Sequence, residues 1–130
     1  MSLSFAPIFN NLLDSSVWEE PYHVRLLWLT LLVLKGRDQV VWGYNAYKLA
    51  KRANVTVKEA QEALEILSKP DKRYRDQAFD GRRIEQVAAD SWRILNGAEY
   101  QTQMAVLLRR HYKAEKQKQY RARDRSLKKT

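Results

Sequence analysis

Nine consecutive residues, Leu26-Leu27-Trp28-Leu29-Thr30-Leu31-Leu32-Val33-Leu34, are apolar but for one threonine and are closed by Arg25 and Lys35. The run cannot cross a bilayer, which needs about 20 apolar residues. Pro21 suits a first helical turn, where its missing N–H costs nothing. Gly36 suits a left-handed C-terminal cap. A helix is therefore expected over about residues 21–35. Being apolar on most sides, it should be surrounded by the rest of the fold and form its core. A chain of 130 residues is long enough for one domain with one such core. Its 45% apolar and 30% charged residues exclude general disorder.

The remaining elements follow from spacing and caps. Phe5, Ile8, Phe9, Leu12 and Leu13 recur at roughly helical intervals, which predicts a short helix over residues 5–13 before the break at Asp14-Ser15-Ser16. Val40-Val41-Trp42 reads as one short strand. Asn45 caps a helix running from Ala46 to Ala53, with Leu49, Ala50 and Ala53 facing inward. Asn54 tolerates the left-handed backbone of a sharp turn. Thr56-Val57-Lys58-Glu59 is a capping box for a further helix to about Lys69, with Val57, Ala60, Ala63, Leu64 and Leu67 inward and Pro70 ending it. Two short helices joined this way form a helix-turn-helix. Ile84-Glu85-Gln86-Val87 and Trp92-Arg93-Ile94-Leu95 read as a hairpin around Ala88-Ala89-Asp90-Ser91. The expected fold class is mainly α (α+β): a winged helix-turn-helix whose hairpin is the wing. A C-terminal helix follows from Ala98, with Tyr100, Met104, Leu107, Leu108 and Tyr112 as its apolar stripe. Beyond Tyr112 the segment has helix propensity but nothing to pack on, so fraying is expected when it is alone.

Charge divides the chain. Residues 105–130 hold ten Lys/Arg against two acids, whereas residues 1–104 hold fourteen against thirteen. The expected organisation is a nearly neutral winged-helix domain over 1–104 and a cationic tail over 105–130. Such a tail points to a polyanionic partner. There is no cysteine, and His23 and His111 stand alone, so thiolate chemistry and histidine-rich metal sites are excluded. No carboxylate pair, metal spacing or glycine-rich phosphate loop is present, and neither enzymatic activity nor a cofactor is expected. The N-terminus lacks a secretory signal, which predicts a cytoplasmic protein without a membrane partner.

Several segments also resemble a family of small phage and prophage proteins: Asp14-Ser15-Ser16-Val17-Trp18-Glu19-Glu20-Pro21, Ser68-Lys69-Pro70-Asp71, Gly81-Arg82-Arg83-Ile84, Trp92-Arg93-Ile94-Leu95-Asn96 and the tyrosine- and arginine-rich tail. That family is similar to the N-terminal DNA-binding domains of phage replisome organisers and replication initiators. The resemblance covers roughly residues 5–125. It implies a winged helix, DNA as partner, a replication-related duty in a bacterial host cell, and a phage or host replication protein as a further partner. The hairpin tip, Ala88-Ala89-Asp90-Ser91, departs from the glycine-rich tip usual in the family. So does Gly97-Ala98-Glu99-Tyr100-Gln101, where an aromatic residue with Lys/Arg is usual.

Three groups of residues are candidates for DNA contact. The second helix of a helix-turn-helix offers its first residues to base edges, here Thr56, Lys58, Gln61 and Glu62; Glu59, Glu62 and Glu65 make the same helix partly acidic. The loop into the hairpin supplies Lys72, Arg73, Arg75, Arg82 and Arg83, which either contact phosphate or balance Asp71, Asp76 and Asp80. The tail supplies Arg109, Arg110, Lys113, Lys116, Lys118, Arg121, Arg123, Arg125, Lys128 and Lys129, with Tyr112 and Tyr120 placed to stack on unpaired bases. Trp28, Trp42 and Trp92 are assigned to packing, Trp18 to stapling the core helix, His23 to a structural role and His111 to the phosphate surface. Three alternatives remain open: a protein-interaction or assembly adaptor using the acidic helix, a phage transcriptional regulator, and RNA binding through the tail. The Tyr100–Tyr112 stripe also allows a homodimer.

Overall fold

A computed structural model of the chain describes Ala6, Ile8 and residues 10–75, 77–95 and 97–128, excepting the side chains of 97–104 and 126–128. Phe5, Phe9, Asp76, Asn96 and Lys129 lie outside the described residues, as do the side chains of Tyr100, Met104, Leu127 and Lys128. Two units are present, Met1–Ala98 and Glu99–Thr130. The protein is mixed α and β, with four α-helices and a three-stranded antiparallel sheet among the described residues. The order is α1 (Tyr22–Leu34), β1 (Val40–Val41), α2 (Ala46–Ala53), α3 (Val57–Ser68), β2 (Ile84–Ala88), β3 (Ser91–Ile94) and α4 (Gly97–Lys128). Where an N-terminal helix was expected, the described residues form two 3-10 turns, Asn10–Asp14 and Ser16–Glu19. Of the described members of that apolar set, Leu12 packs against the core, and Ile8 and Leu13 are exposed.

Helix α1 buries Val24, Leu27, Trp28 and Leu31 against α2 and α3. It is not surrounded, as its composition led one to expect. Tyr22, Leu26 and Val33 are exposed, and their spacing of four and seven places them in one stripe on the face turned away from the core. The helices α2 and α3 lie on one side of α1 only. Ala60 and Ala63 of α3 are fully buried and let that helix approach its neighbours closely, which fixes the spacing of the three-helix core. Val57, expected inward, is exposed at the first turn.

The caps between α2 and α3 form as the local sequence dictates. The Asn45 side chain accepts from the Lys48 N–H at 2.9 Å, and Asn54 adopts φ 58°, ψ 49°. Thr56 Oγ1 accepts from the Glu59 N–H at 3.1 Å, while Glu59 Oε1 accepts from the Thr56 N–H at 3.0 Å. Gly36 behaves otherwise than expected: α1 is closed by Lys35 in an extended conformation, and the left-handed step falls at Gln39, φ 64°. The reason is the tight turn into β1. The Gly36 N–H donates to the Val40 carbonyl, the Gln39 N–H donates to the Gly36 carbonyl, and Asp38 Oδ1 accepts from the Val40 N–H.

In the sheet β3 is central, flanked by β1 and β2. Val40 and Val41 stand opposite Arg93 and Trp92, and Ile84 stands opposite Ile94. A bulge between Gln86 and Ala88 precedes the tip Ala89-Asp90 and bends the hairpin. Ile84, Trp92 and Ile94 close the helical core from the sheet side. The other unit, Glu99–Thr130, holds nearly all of the helix α4, Gly97–Lys128. Its residues 113–128 hold Ala, Glu, Gln, Leu, Lys and Arg with no Gly or Pro, all of high helix propensity but for Tyr120, Asp124 and Ser126.

Candidate nucleic-acid interface

The basic loop between α3 and β2 is built around one carboxylate. Asp71 Oδ2 accepts from the Ser16 hydroxyl at 2.8 Å and from Arg83 Nη1 at 3.2 Å. Its Oδ1 accepts from the backbone N–H of Arg73 at 2.9 Å and from Arg73 Nε at 3.1 Å. Arg83 also donates to the Ser16 hydroxyl oxygen at 2.6 Å and lies 4.3 Å over the Tyr74 ring. Burial works to raise the pKa of Asp71. The hydrogen bonds from Arg73, Ser16 and Arg83 outweigh it and hold the carboxyl well below the usual carboxylate range.

This arrangement removes two residues from the expected phosphate surface. Arg83 is only 4% exposed, and its guanidinium is spent inside the protein. Arg73 bridges Asp71, Glu19 at 3.2 Å and Glu20 at 2.5 Å, so three carboxylates offset its charge. Both ion-pair partners on the 16–20 segment are more than fifty positions away in sequence, and no local pattern announces them. Gly81 makes the closure possible: it sits at φ 79°, and a Cβ there would lie 1.9 Å from the Asp71 carbonyl oxygen. Lys72 and Arg75 are exposed; Arg82 is half-buried, with Nε 3.4 Å from the Phe79 carbonyl oxygen.

The outward face of α3 is charge-balanced rather than cationic. Lys58, Gln61, Glu62, Glu65 and Lys69 are all exposed along it. Lys69 pairs with Glu65 at 2.9 Å, and Glu62 Oε1 lies 3.2 Å from His23 Nε2, which gives His23 the structural role expected of it. Glu59 accepts from the Tyr22 hydroxyl, and that bond, with the Thr56 backbone N–H, holds its pKa below the ordinary value. The Thr56 oxygen is occupied as the cap of the helix. Gln61 and Glu65 line an open groove of about 340 Å³ together with Leu64, Gln86 and Trp92.

The clearest cationic surface on the Met1–Ala98 unit is one that spacing arguments overlooked. Helix α2 carries Lys48, Lys51 and Arg52 and no acid, and these three with Tyr47 form its whole exposed face. Lys51 and Arg52 also oppose the negative end of the helix dipole, which is the structural use of cations at that place. The signal available in the sequence was the acid-free string Tyr47-Lys48-Leu49-Ala50-Lys51-Arg52. Trp42, assigned to packing, is 60% exposed just after β1, whereas Trp28 and Trp92 are buried as expected. Its indole N–H donates to Asp38 Oδ2 at 2.7 Å. Trp18 is half-buried, with Arg25 5.2 Å over its ring at the start of α1.

Along α4 every described side chain, residues 105–125, is exposed. Arg109, Lys113, Lys116 and Arg123 recur at helical spacing in one stripe that also holds Tyr120. Arg109 to Arg123 spans roughly 21 Å at ~1.5 Å per residue. Arg110 and Arg121 lie to one side of that stripe, and Lys118 and Arg125 stand on the opposite face of the helix. Among the described residues of this helix one ion pair occurs, Lys118 to Glu115 at 3.9 Å, and Lys116 lies 4.9 Å over the Tyr112 ring. His111 is exposed among these cations.

Among the described residues no group of three or more His, Cys, Asp or Glu could hold a metal ion, and no helix is long and apolar enough to cross a membrane. Comparison with known protein families, curated proteins and solved structures finds no match to this chain.

Proposed function

We propose that this chain is a DNA-binding protein of winged-helix type that holds the phosphate backbone without reading base sequence. The observation that carries the reading is α4, where eight Lys/Arg among the described residues are exposed and one ion pair offsets them. A charge of that density and exposure binds polyanions by releasing their condensed counterions. The order α1, β1, α2, α3, β2, β3, with β3 central in the sheet, supports a winged helix. In that reading α2 and α3 are the helix-turn-helix and the β2–β3 hairpin is the wing. The balanced outward face of α3 favours backbone holding over base readout by Thr56, Lys58 and Gln61. Lys48, Lys51 and Arg52 on α2 supply further phosphate contacts, with Lys72, Arg75 and Arg82 beside them in function. A replication-related duty in a phage-infected bacterial cytoplasm rests on the family resemblance alone.

The test is duplex-DNA affinity of the full chain across a salt series. Six phosphate contacts give a log–log slope of about −5, with little dependence on sequence. Absence of binding at low salt contradicts the reading. A second reading, a protein-docking module, is favoured by the apolar stripe of Tyr22, Leu26 and Val33 on α1. Under it, Leu26→Lys with Val33→Lys abolishes capture of a phage or host replication protein and leaves DNA affinity unchanged.

A further inference from the structure

Exposed large aromatics are unusual beside a cluster of unopposed cations, and the β1–α2 region has both. Trp42 is 60% exposed and Tyr47 is 56% exposed. The two are linked through the chain between them. Lys48 Nζ lies 3.4 Å from the Gly43 carbonyl oxygen, so the cationic face of α2 reaches the loop that carries Trp42. That loop is anchored to the hairpin: the Tyr44 N–H donates to the Asp90 carbonyl at 2.7 Å, and the Gly43 N–H lies 3.4 Å from the Ser91 hydroxyl oxygen. Gly43 itself, at φ 76°, has open space where a Cβ would stand.

We propose that this surface binds single-stranded DNA, with Trp42 and Tyr47 stacking on unpaired bases and Lys48, Lys51 and Arg52 meeting the phosphates. The inference rests on the DNA-binding reading above and names the form of DNA that this face takes. The indole N–H of Trp42 is satisfied by Asp38, which orients a ring whose residue is 60% exposed. A duplex presents charged backbone to such a surface and keeps its base faces stacked within the helix. An unpaired strand offers both base faces and phosphates, the combination that aromatic and cationic side chains jointly recognise. Asp38 and Asp90 are the acids of this neighbourhood. Asp38 is engaged by Trp42 and the Val40 N–H and feels the charge of Arg93.

The experiment uses the full chain and fluorescently labelled oligonucleotides of about a dozen nucleotides, within the span of known single-strand sites. The probes are oligothymidylate, oligouridylate and a mixed-sequence duplex, each titrated with wild type, Trp42→Ala and Tyr47→Ala. Thermal melting confirms that the variants fold, which the exposure of both side chains leads one to expect. Oligothymidylate affinity should fall at least about fivefold for each variant, the low end of one base–aromatic stack. Duplex affinity should change less than about twofold. Equal losses for single strand and duplex, or no loss for either, overturn the proposal while leaving the DNA-binding reading intact. Tighter wild-type binding of oligouridylate than of oligothymidylate overturns the assignment to DNA. Failure of wild type to bind any probe at low salt contradicts the underlying reading itself.

Discussion

The loop of residues 71–83 and the helix α4 are alike in sequence, both dense in arginine and lysine, and unlike in what their charges do. In the loop, Asp71, Glu19 and Glu20 gather the guanidinium of Arg73, and Asp71 with Ser16 takes that of Arg83. Among the described residues of α4 the cations stand in solvent with one weak internal pair. Arg73 and Arg83 lock the chain after α3 back onto the turn before α1; the described α4 cations are available to a partner. A count of basic residues does not distinguish the two, because the distinction lies in where the opposing carboxylates fall after folding. The same lesson separates α2 from α3, since α3 carries its own carboxylates and α2 carries none.

Breaking the loop should cost the most. Arg83→Leu takes one partner from the Asp71 carboxylate, which keeps Arg73 and Ser16, and leaves Ser16 without its guanidinium donor; losing such a partner costs about 1–3 kcal/mol. Urea unfolding should show that loss. Duplex affinity of the folded fraction should be unchanged, because Arg83 faces inward; a matching drop in affinity would return it to the interface.

The pH dependence of stability sharpens the same point. Asp71 has its pKa held below the ordinary carboxylate value in the folded protein. A group lowered in this way contributes stability above its unfolded value, about 3.9, and loses it as pH falls toward the folded value. Denaturant midpoints should therefore fall steeply below about pH 4, and Asp71→Asn should flatten that limb while lowering stability at neutral pH. An unchanged acid limb in the variant would assign the transition to other carboxylates.

Smaller effects come from local features. Thr56→Ala removes one half of the capping box of α3 and should cost about 1 kcal/mol by thermal or urea unfolding. If Thr56 also contacts DNA, affinity falls beyond what the stability change explains. Lys72→Gln with Arg75→Gln should lower the magnitude of the salt slope by at most about 2 and leave stability within about 0.5 kcal/mol.

What the sequence made legible follows the range of the forces involved. Asn45, Asn54 and the Thr56–Glu59 box act within four residues, and the helices they cap formed where expected. The hairpin strands likewise follow from alternation, with one-residue shifts at their ends. Gly36 misled because the turn into β1 is set by hydrogen bonds that Val40 and Asp38 supply. Trp42 misled because strand composition does not say where a two-residue strand stops. The burial of Arg83 depends on Ser16, 67 positions away, and only the fold brings them together. The candidate surface was thus half visible: the α4 cations by composition alone, the α2 face only once its buried side was known.

The central claim, that the exposed α4 cations and not the internally paired Arg73 and Arg83 hold the polyanion, is tested most directly by the salt slope of duplex binding. The variant Arg109→Gln, Lys113→Gln, Lys116→Gln, Arg123→Gln keeps helix propensity while removing four charges from one stripe. Compared with wild type at matched thermal stability, its log–log slope should be smaller in magnitude by about 3 to 4. A slope identical to that of wild type would contradict the account.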